Sequence, residues 1–327
     1  MVTSCLRQTI LLVPQSYGIS FASTIKAIPM FRNVRFYRIK APWPKTEDEL
    51  SEQLSKLAFK PCGPYSEMSS GWEAPATELP DTLCRRLNGA DLLRLRTQTR
   101  VLPAAAINEA LGDRLKDYET RMQEKPSAKQ KRRLKAELRE ELLPKALVKS
   151  ERVNGFYLHA LGLLGIEAGS ETKAERFLDC LRIAFGELEA VPLIFDKPVS
   201  DWLNAMFLGS VPENFRLGRE CRMQEPTMGG AVVNWKDIDL SDASVRKHVI
   251  DGMRVERLAL EFDDIMSFVL DQNGAVSKLK FVGDEASAEI ESSDESQIAK
   301  QDAQFVLLTG TLMRFVDGLK KSLGSYT

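Results

Sequence analysis

The chain reads as an α+β protein of mixed antiparallel sheets and helices. Three observations predict this class. Short runs rich in β-branched and aromatic residues alternate irregularly with amphipathic stretches at helical spacing, no internal repeat is visible, and an Asn-Gly turn joins two apolar runs near the C-terminal end. At 327 residues and 43% hydrophobic, the chain can bury a sizeable core in one large domain or two to three smaller ones. The formal net charge of −1 gives bulk composition no bias toward a polyanion, so any such partner must be read from how charge is distributed.

Residues 1–29 contain no Asp or Glu, and their apolar run ILLV (10–13) is too short for a secretory signal; they are expected to lie outside the fold, with Met30 as the natural start. FRNVRFYRIK then reads as a strand, which Pro42 and Pro44 break. Thr46 is the expected N-cap of a helix, with Glu49 closing a capping box and Leu50, Leu54 and Leu57 at helical spacing. The Pro-, Gly- and Ser-rich stretch 59–80 reads as loop and turns. LLRLRTQTRVL (92–102) alternates as a strand, with Arg94, Arg96 and Arg100 on one side and Leu93 and Leu95 on the other.

Ile107, Leu111, Leu115, Tyr118 and Met122 mark an amphipathic helix over 104–122 that ends before Pro126. A second helix starts at Ser127, capped reciprocally with Gln130, carries Leu134, Leu138 and Leu142, and stops at Pro144. Two such neighbours form an antiparallel hairpin with an inward apolar seam and outward cations. From Lys125 to Lys149 the chain holds nine Lys/Arg against three Glu.

Beyond it, 155–168 reads as one or two strands, 172–186 as a helix packing Phe177, Leu178, Leu181 and Phe185, and 200–209 as a short helix. Strands follow at 231–235, 258–262, 265–271 and 276–282, the last two joined by the Asn273-Gly274 turn. The segment 284–302 carries seven Asp/Glu and only Lys300, and an apolar helix runs from Phe305 to Leu323. The expected organisation is an extension (1–29), an N-terminal α/β region (30–103), a basic helical hairpin or finger (104–150) and a C-terminal α+β region (151–327) holding the acidic segment.

Most catalytic chemistry finds no support. His159 and His248 lie in no ligand-spaced pattern, and Gly229-Gly230 lacks the Lys-Ser/Thr of a phosphate loop. The five cysteines form no C-x-x-C pair and read as reduced thiols of a cytosolic protein. No apolar run reaches the ~18 residues that span a bilayer. Glu261, Asp263 and Asp264 could hold Mg²⁺ for a nuclease, but Asp263-Asp264 falls between two strands, where a solvated hairpin loop explains the acids without any metal and is the favoured reading. No catalytic residue, metal or cofactor is assigned. The basic hairpin is the remaining signal. Lys129, Lys131, Arg132, Arg133 and Lys135 outnumber the acids near them, so a polyanion would relieve their repulsion, with phosphate contacts that do not read sequence. The alternatives are a solvated helix face or a module that binds an acidic protein.

Seven ordered stretches carry a resemblance to a known family: FKPCGPYSEMSSGW (59–72), VLPAAAINEAL (101–111), ELLPKAL (141–147), VPL (191–193), GAVVNWKDIDLS (230–241), LALEFDDIMSFVLD (258–271) and AQFVLLTGTL (303–312). In these the chain, from Met30 to about Leu323, resembles the bacterial recombination-associated RdgC proteins. The resemblance implies a non-enzymatic, cytoplasmic and nucleoid-associated protein whose horseshoe-shaped subunits close into a ring homodimer around double-stranded DNA, restraining RecA. It further implies DNA contacts at Lys145, at Leu147, where the family carries a fingertip aromatic, and at Lys236, where Asp237 and Ile238 replace polar or basic residues. Lys149 and the Arg94/Arg96/Arg100 strand complete the expected cationic set.

Overall fold

The computed structural model describes residues 31–76, 78–227, 230–281 and 297–326. The expected extension 1–29 and the acidic stretch 284–296 lie outside the described residues.

The first sheet is antiparallel throughout and draws on both flanks of the hairpin. Its elements are β1 (Arg35–Ile39), the helix α1 (Glu47–Ser55), β2 (Met68–Trp72), β3 (Cys84–Leu87) and β4 (Ala90–Val101), the two hairpin helices α2 (Ala104–Met122) and α3 (Ala128–Leu142), then β5 (Leu147–Leu158), β6 (Leu163–Ile166), the helix α4 (Glu171–Phe185) and β7 (Ala190–Pro192). Strands run in the order β2-β4-β5-β6-β1-β7, and β3 pairs with the same edge of β4 beyond β2. Asn88 and Gly89, both at positive φ, turn β3 into β4 as a two-residue hairpin requires. Thr46 caps α1 through the expected box with Glu49. Leu50 and Leu54 of α1 and Phe177, Leu178 and Leu181 of α4 bury against Trp72, Leu93, Leu95 and Val153 on one face of the sheet. The approach is close: a Cβ on Gly155 would lie 2.4 Å from the Phe177 ring, so β5 needs glycine there.

The second sheet follows α5 (Val199–Phe207) and comprises β8 (Phe215–Gln224), β9 (Val232–Lys236), β10 (Arg254–Phe262), β11 (Met266–Asp271) and β12 (Val276–Phe281), with α6 (Ala243–Ile250) between β9 and β10. The order is β12-β11-β10-β8-β9, again antiparallel. Gly274 takes positive φ in the predicted Asn-Gly turn. The final helix α7 (Gln297–Leu323) packs Phe315 edge-on against Phe262 and Phe268. Val34 ties the first sheet's leading segment to the second sheet by a reciprocal pair of backbone hydrogen bonds with Val276, at 2.8 and 2.9 Å.

The α+β expectation is met, with several differences of detail. The 59–80 stretch is not all loop, because Met68–Trp72 forms β2 by pairing with the edge of β4 despite a sequence poor in apolar residues. Of the one or two strands expected within 155–168 there are two, and the first begins earlier, at Leu147. The short strands β3 and β7, the charged strand β8 and the helix α6 lacked a readable period. The C-terminal helix starts at Gln297 rather than Phe305, since its first turns are polar.

Candidate nucleic-acid interface

The basic hairpin is inserted at the end of a long ladder. β4 and β5 pair over their full twelve residues, and the last pair, Val101 with Leu147, flanks the point where the chain leaves for α2 and returns from α3. Ser127 caps α3 through the predicted box with Gln130. Between the helices, Gln130 Nε2 donates to the Tyr118 hydroxyl at 2.6 Å, Lys135 Nζ to Asn108 Oδ1 at 3.1 Å, and Arg114 to Glu141 at 2.9 Å. Of the seam, only Ile107 and Leu138 are fully buried. The remaining seam residues are half-buried or exposed, because a two-helix element with one narrow apolar stripe has nothing left to bury against the sheets. The hairpin therefore projects.

Its cations divide into paired and free. Arg133 meets Glu137 at 2.8 Å and Arg139 meets Glu67 at 2.8 Å. Lys129, Lys131, Arg132, Lys145 and Lys149 are exposed and make no ion pair among the described residues. Arg121 and Lys125, beside the turn between the helices, are also exposed and make no ion pair among the described residues; Lys125 opens the charge run counted from the sequence, and extending that count further back would have added Arg121. Exposed ammonium and guanidinium groups within one or two helical turns repel, and each stays available to a phosphate.

The strand arginines differ. Arg94 donates to Asn154 Oδ1 at 3.1 Å, and burial pulls its pKa below the usual arginine value. Arg96 reaches Glu73 at 3.0 Å and lies over the Phe59 ring, 4.4 Å from its centroid. Arg100 spreads its guanidinium over five carbonyls: Cys62 (3.4 Å), Gly63 (3.0 Å), Leu143 (3.3 Å), Pro144 (3.1 Å) and Ala146 (3.2 Å). That bonding fastens the base of the hairpin to the 62–66 loop. The sequence placed these three arginines on one face correctly, and the structure adds that each already has an internal partner.

Lys236 ends β9, in the second sheet. Its cross-strand neighbour Glu220 binds Lys278 instead, at 2.7 Å, so Lys236 is exposed without an ion pair among the described residues. Leu147 is 81% exposed. The carboxylates Asp263 and Asp264 occupy the β10–β11 turn with φ of 50° and 55°, Asp264 meets Arg216 at 2.7 Å and Asp263 lies 3.8 Å from Arg314. No group of three or more His, Cys, Asp or Glu is arranged to hold a metal among the described residues. His159 sits against the buried carboxylate of Asp91, Nε2 to Oδ2 3.0 Å, and His248 lies beside Trp235. No described helix is long and apolar enough to cross a membrane.

The family model described as "Putative exonuclease, RdgC" matches residues 30–326. Similar proteins include the "Recombination-associated protein RdgC" of Tolumonas auensis, 31% identical over 298 residues that cover 90% of this chain and 98% of the relative. That of Pseudoalteromonas atlantica is 30% identical, covering 87% and 94%. That of Aeromonas hydrophila is 29% identical, covering 90% and 97%. The chain thus belongs to the RdgC family.

Proposed function

We propose that this protein takes part in recombination as a sequence-independent binder of double-stranded DNA, gripping the phosphate backbone through its projecting basic hairpin. The observation that carries the reading is the set of exposed cations Lys129, Lys131 and Arg132, without an ion pair among the described residues, on a hairpin that buries almost nothing else, continued at its base by the equally exposed Lys145 and, at the start of β5, Lys149. A projecting two-helix finger with free cations suits contacts to phosphates, which position a protein without reading bases. In this reading the subunit works as a ring-shaped homodimer, in the cytoplasm on the nucleoid, and limits RecA by occupying the duplex. Binding needs no cofactor and leaves the DNA intact.

Fluorescence anisotropy with a labelled duplex across a salt series tests the binding. The affinity is expected to fall steeply with salt, and the triple variant Lys131→Glu, Arg132→Glu, Arg133→Glu to lower the log–log slope by roughly one per lost phosphate contact. A slope unchanged by the triple variant removes the hairpin from the interface and favours a module for an acidic protein.

The word exonuclease in the family description favours a second reading, a nuclease, for which Glu261, Asp263 and Asp264 are the carboxylates the sequence offers. Two of these carboxylates already face guanidinium groups, which would compete with a dication. Long incubation of labelled duplex with Mg²⁺ and the protein decides it: cleavage that disappears in Asp263→Ala establishes the nuclease, and intact DNA removes it.

A further inference from the structure

One exposed aromatic is unexplained by the fold. In FKPCGPYSEM, Gly63 to Ser66 form a turn closed by Ser66 N–H donating to Gly63 C=O at 3.2 Å, with Pro64 and Tyr65 at its centre. Tyr65 is 79% exposed, and no hydrogen bond or ring contact engages it among the described residues. Its turn, by contrast, is held from four directions. Cys62 N–H donates to Gln98 Oε1 at 2.9 Å, the Cys62 thiol to Ser66 C=O at 2.9 Å, and Arg100 to Gly63 C=O at 3.0 Å, while the adjacent Glu67 binds Arg139 of α3 at 2.8 Å. A phenol ring on a rigid turn loses little conformational entropy when it acquires a partner.

The surroundings name the partner's chemistry. The same Arg100 guanidinium that holds Gly63 also holds Ala146, so Tyr65 and Leu147 flank one anchoring group at the end of the β4–β5 ladder. Val101 and Val148 are also partly exposed there, and Lys145 and Lys149, two residues before and after Leu147 in the chain, are both exposed. An exposed aromatic ring on a turn that one guanidinium ties to a segment with exposed cations fits a ligand with a flat ring and a nearby phosphate, which is a nucleotide whose base is free of its pair. Every base presents a π-face, so such a contact tolerates any sequence.

We propose that Tyr65 stacks on an unpaired base, so that the protein holds DNA containing an extruded or unpaired nucleotide more tightly than an intact duplex. The proposal rests on DNA binding through the hairpin and deepens it by naming the form of DNA preferred.

The experiment compares a blunt duplex with the same duplex carrying one central bulged nucleotide, for the whole chain and for Tyr65→Ala, Tyr65→Phe and Lys131→Glu/Arg132→Glu/Arg133→Glu. The intact protein should favour the bulged DNA. Tyr65→Ala should lose about 5- to 150-fold affinity for the bulged DNA, the range of one stacked base, with its salt slope unchanged and its blunt-duplex affinity nearly so. Tyr65→Phe should retain the preference, because the ring rather than the hydroxyl makes the contact. Equal affinity of the intact protein for both DNAs, or an equal loss on both in Tyr65→Ala, overturns the inference. Unchanged binding of Tyr65→Ala overturns it too and leaves the ring to a protein surface. These failures occur with salt-dependent duplex binding intact, whereas absence of all DNA binding defeats the underlying reading.

Discussion

Arg86 and Asp91 face each other across the β3–β4 hairpin, joined by Nε–Oδ1 at 2.6 Å and Nη2–Oδ2 at 2.9 Å. Asp91 is fully buried and also accepts from the Trp43 indole N–H at 2.7 Å, with His159 Nε2 at 3.0 Å. Replacing this carboxylate strands several donors at once. Asp91→Ala is expected to destabilise the protein by about 3 kcal/mol, the low end for breaking a buried pair because Arg86 keeps some access to water. Urea unfolding measures it, and a loss below about 1 kcal/mol would contradict the assignment.

Arg100 predicts a local effect. Lysine has three donors on a point charge and cannot reproduce a planar fork that reaches carbonyls on two segments. In Arg100→Lys, hydrogen exchange should accelerate in peptides covering 60–68 and 143–149, while peptides of β10 and β11 stay protected. Uniform acceleration would show a global effect instead.

Glu73 sets a pH dependence. Burial by itself would raise its pKa, but hydrogen bonds from Arg152 and Arg96, with their charges, outweigh it and hold the carboxyl below the ordinary 4.5. A depressed folded-state pKa contributes stability above the unfolded value and loses it as pH falls through the folded one. Thermal unfolding from pH 6 downward should therefore show Glu73→Gln losing less stability than the wild type below about pH 4.5, since the variant has no such proton to bind.

The buried thiols should be inert. Burial, with Glu47 and Asp91 adding to it at Cys84, pushes Cys84 and Cys221 up to about 12, and burial with Asp179 pushes Cys180 up to about 11. At neutral pH almost none of the thiolate nucleophile exists. A maleimide or aromatic disulfide reagent should modify these three only after denaturant is added, and mass spectrometry of the native protein reads the outcome.

Gly155 tests the sheet–helix contact. A methyl group there would meet Phe177 at 2.4 Å, so Gly155→Ala should cost about 1–3 kcal/mol through overpacking. Pairing it with Phe177→Leu should recover part of that loss in the same unfolding measurement.

What could be read directly was local. The capping boxes at Thr46 and Ser127 and the stripes of α1, α3 and α4 depend on residues three or four apart, the Asn273-Gly274 turn on two adjacent ones, and each formed as the pattern required. The strand β8 was obscured because arginines and a glutamate separate its buried Phe215, Cys221 and Met223, and β2 because pairing with β4 rather than its own composition makes it a strand.

The candidate interface divides along the same line. The sequence by itself determined that cations gather on a helical hairpin, because charge and period are properties of neighbouring residues. Only the tertiary structure decided which cations remain free, because Arg94, Arg96 and Arg100 find Asn154, Glu73 and the 143–146 carbonyls on segments distant in the chain. It also decided that Tyr65 and Leu147 both stand exposed on segments that one guanidinium ties together. A charge announces itself in the sequence, but its partner is chosen by folding.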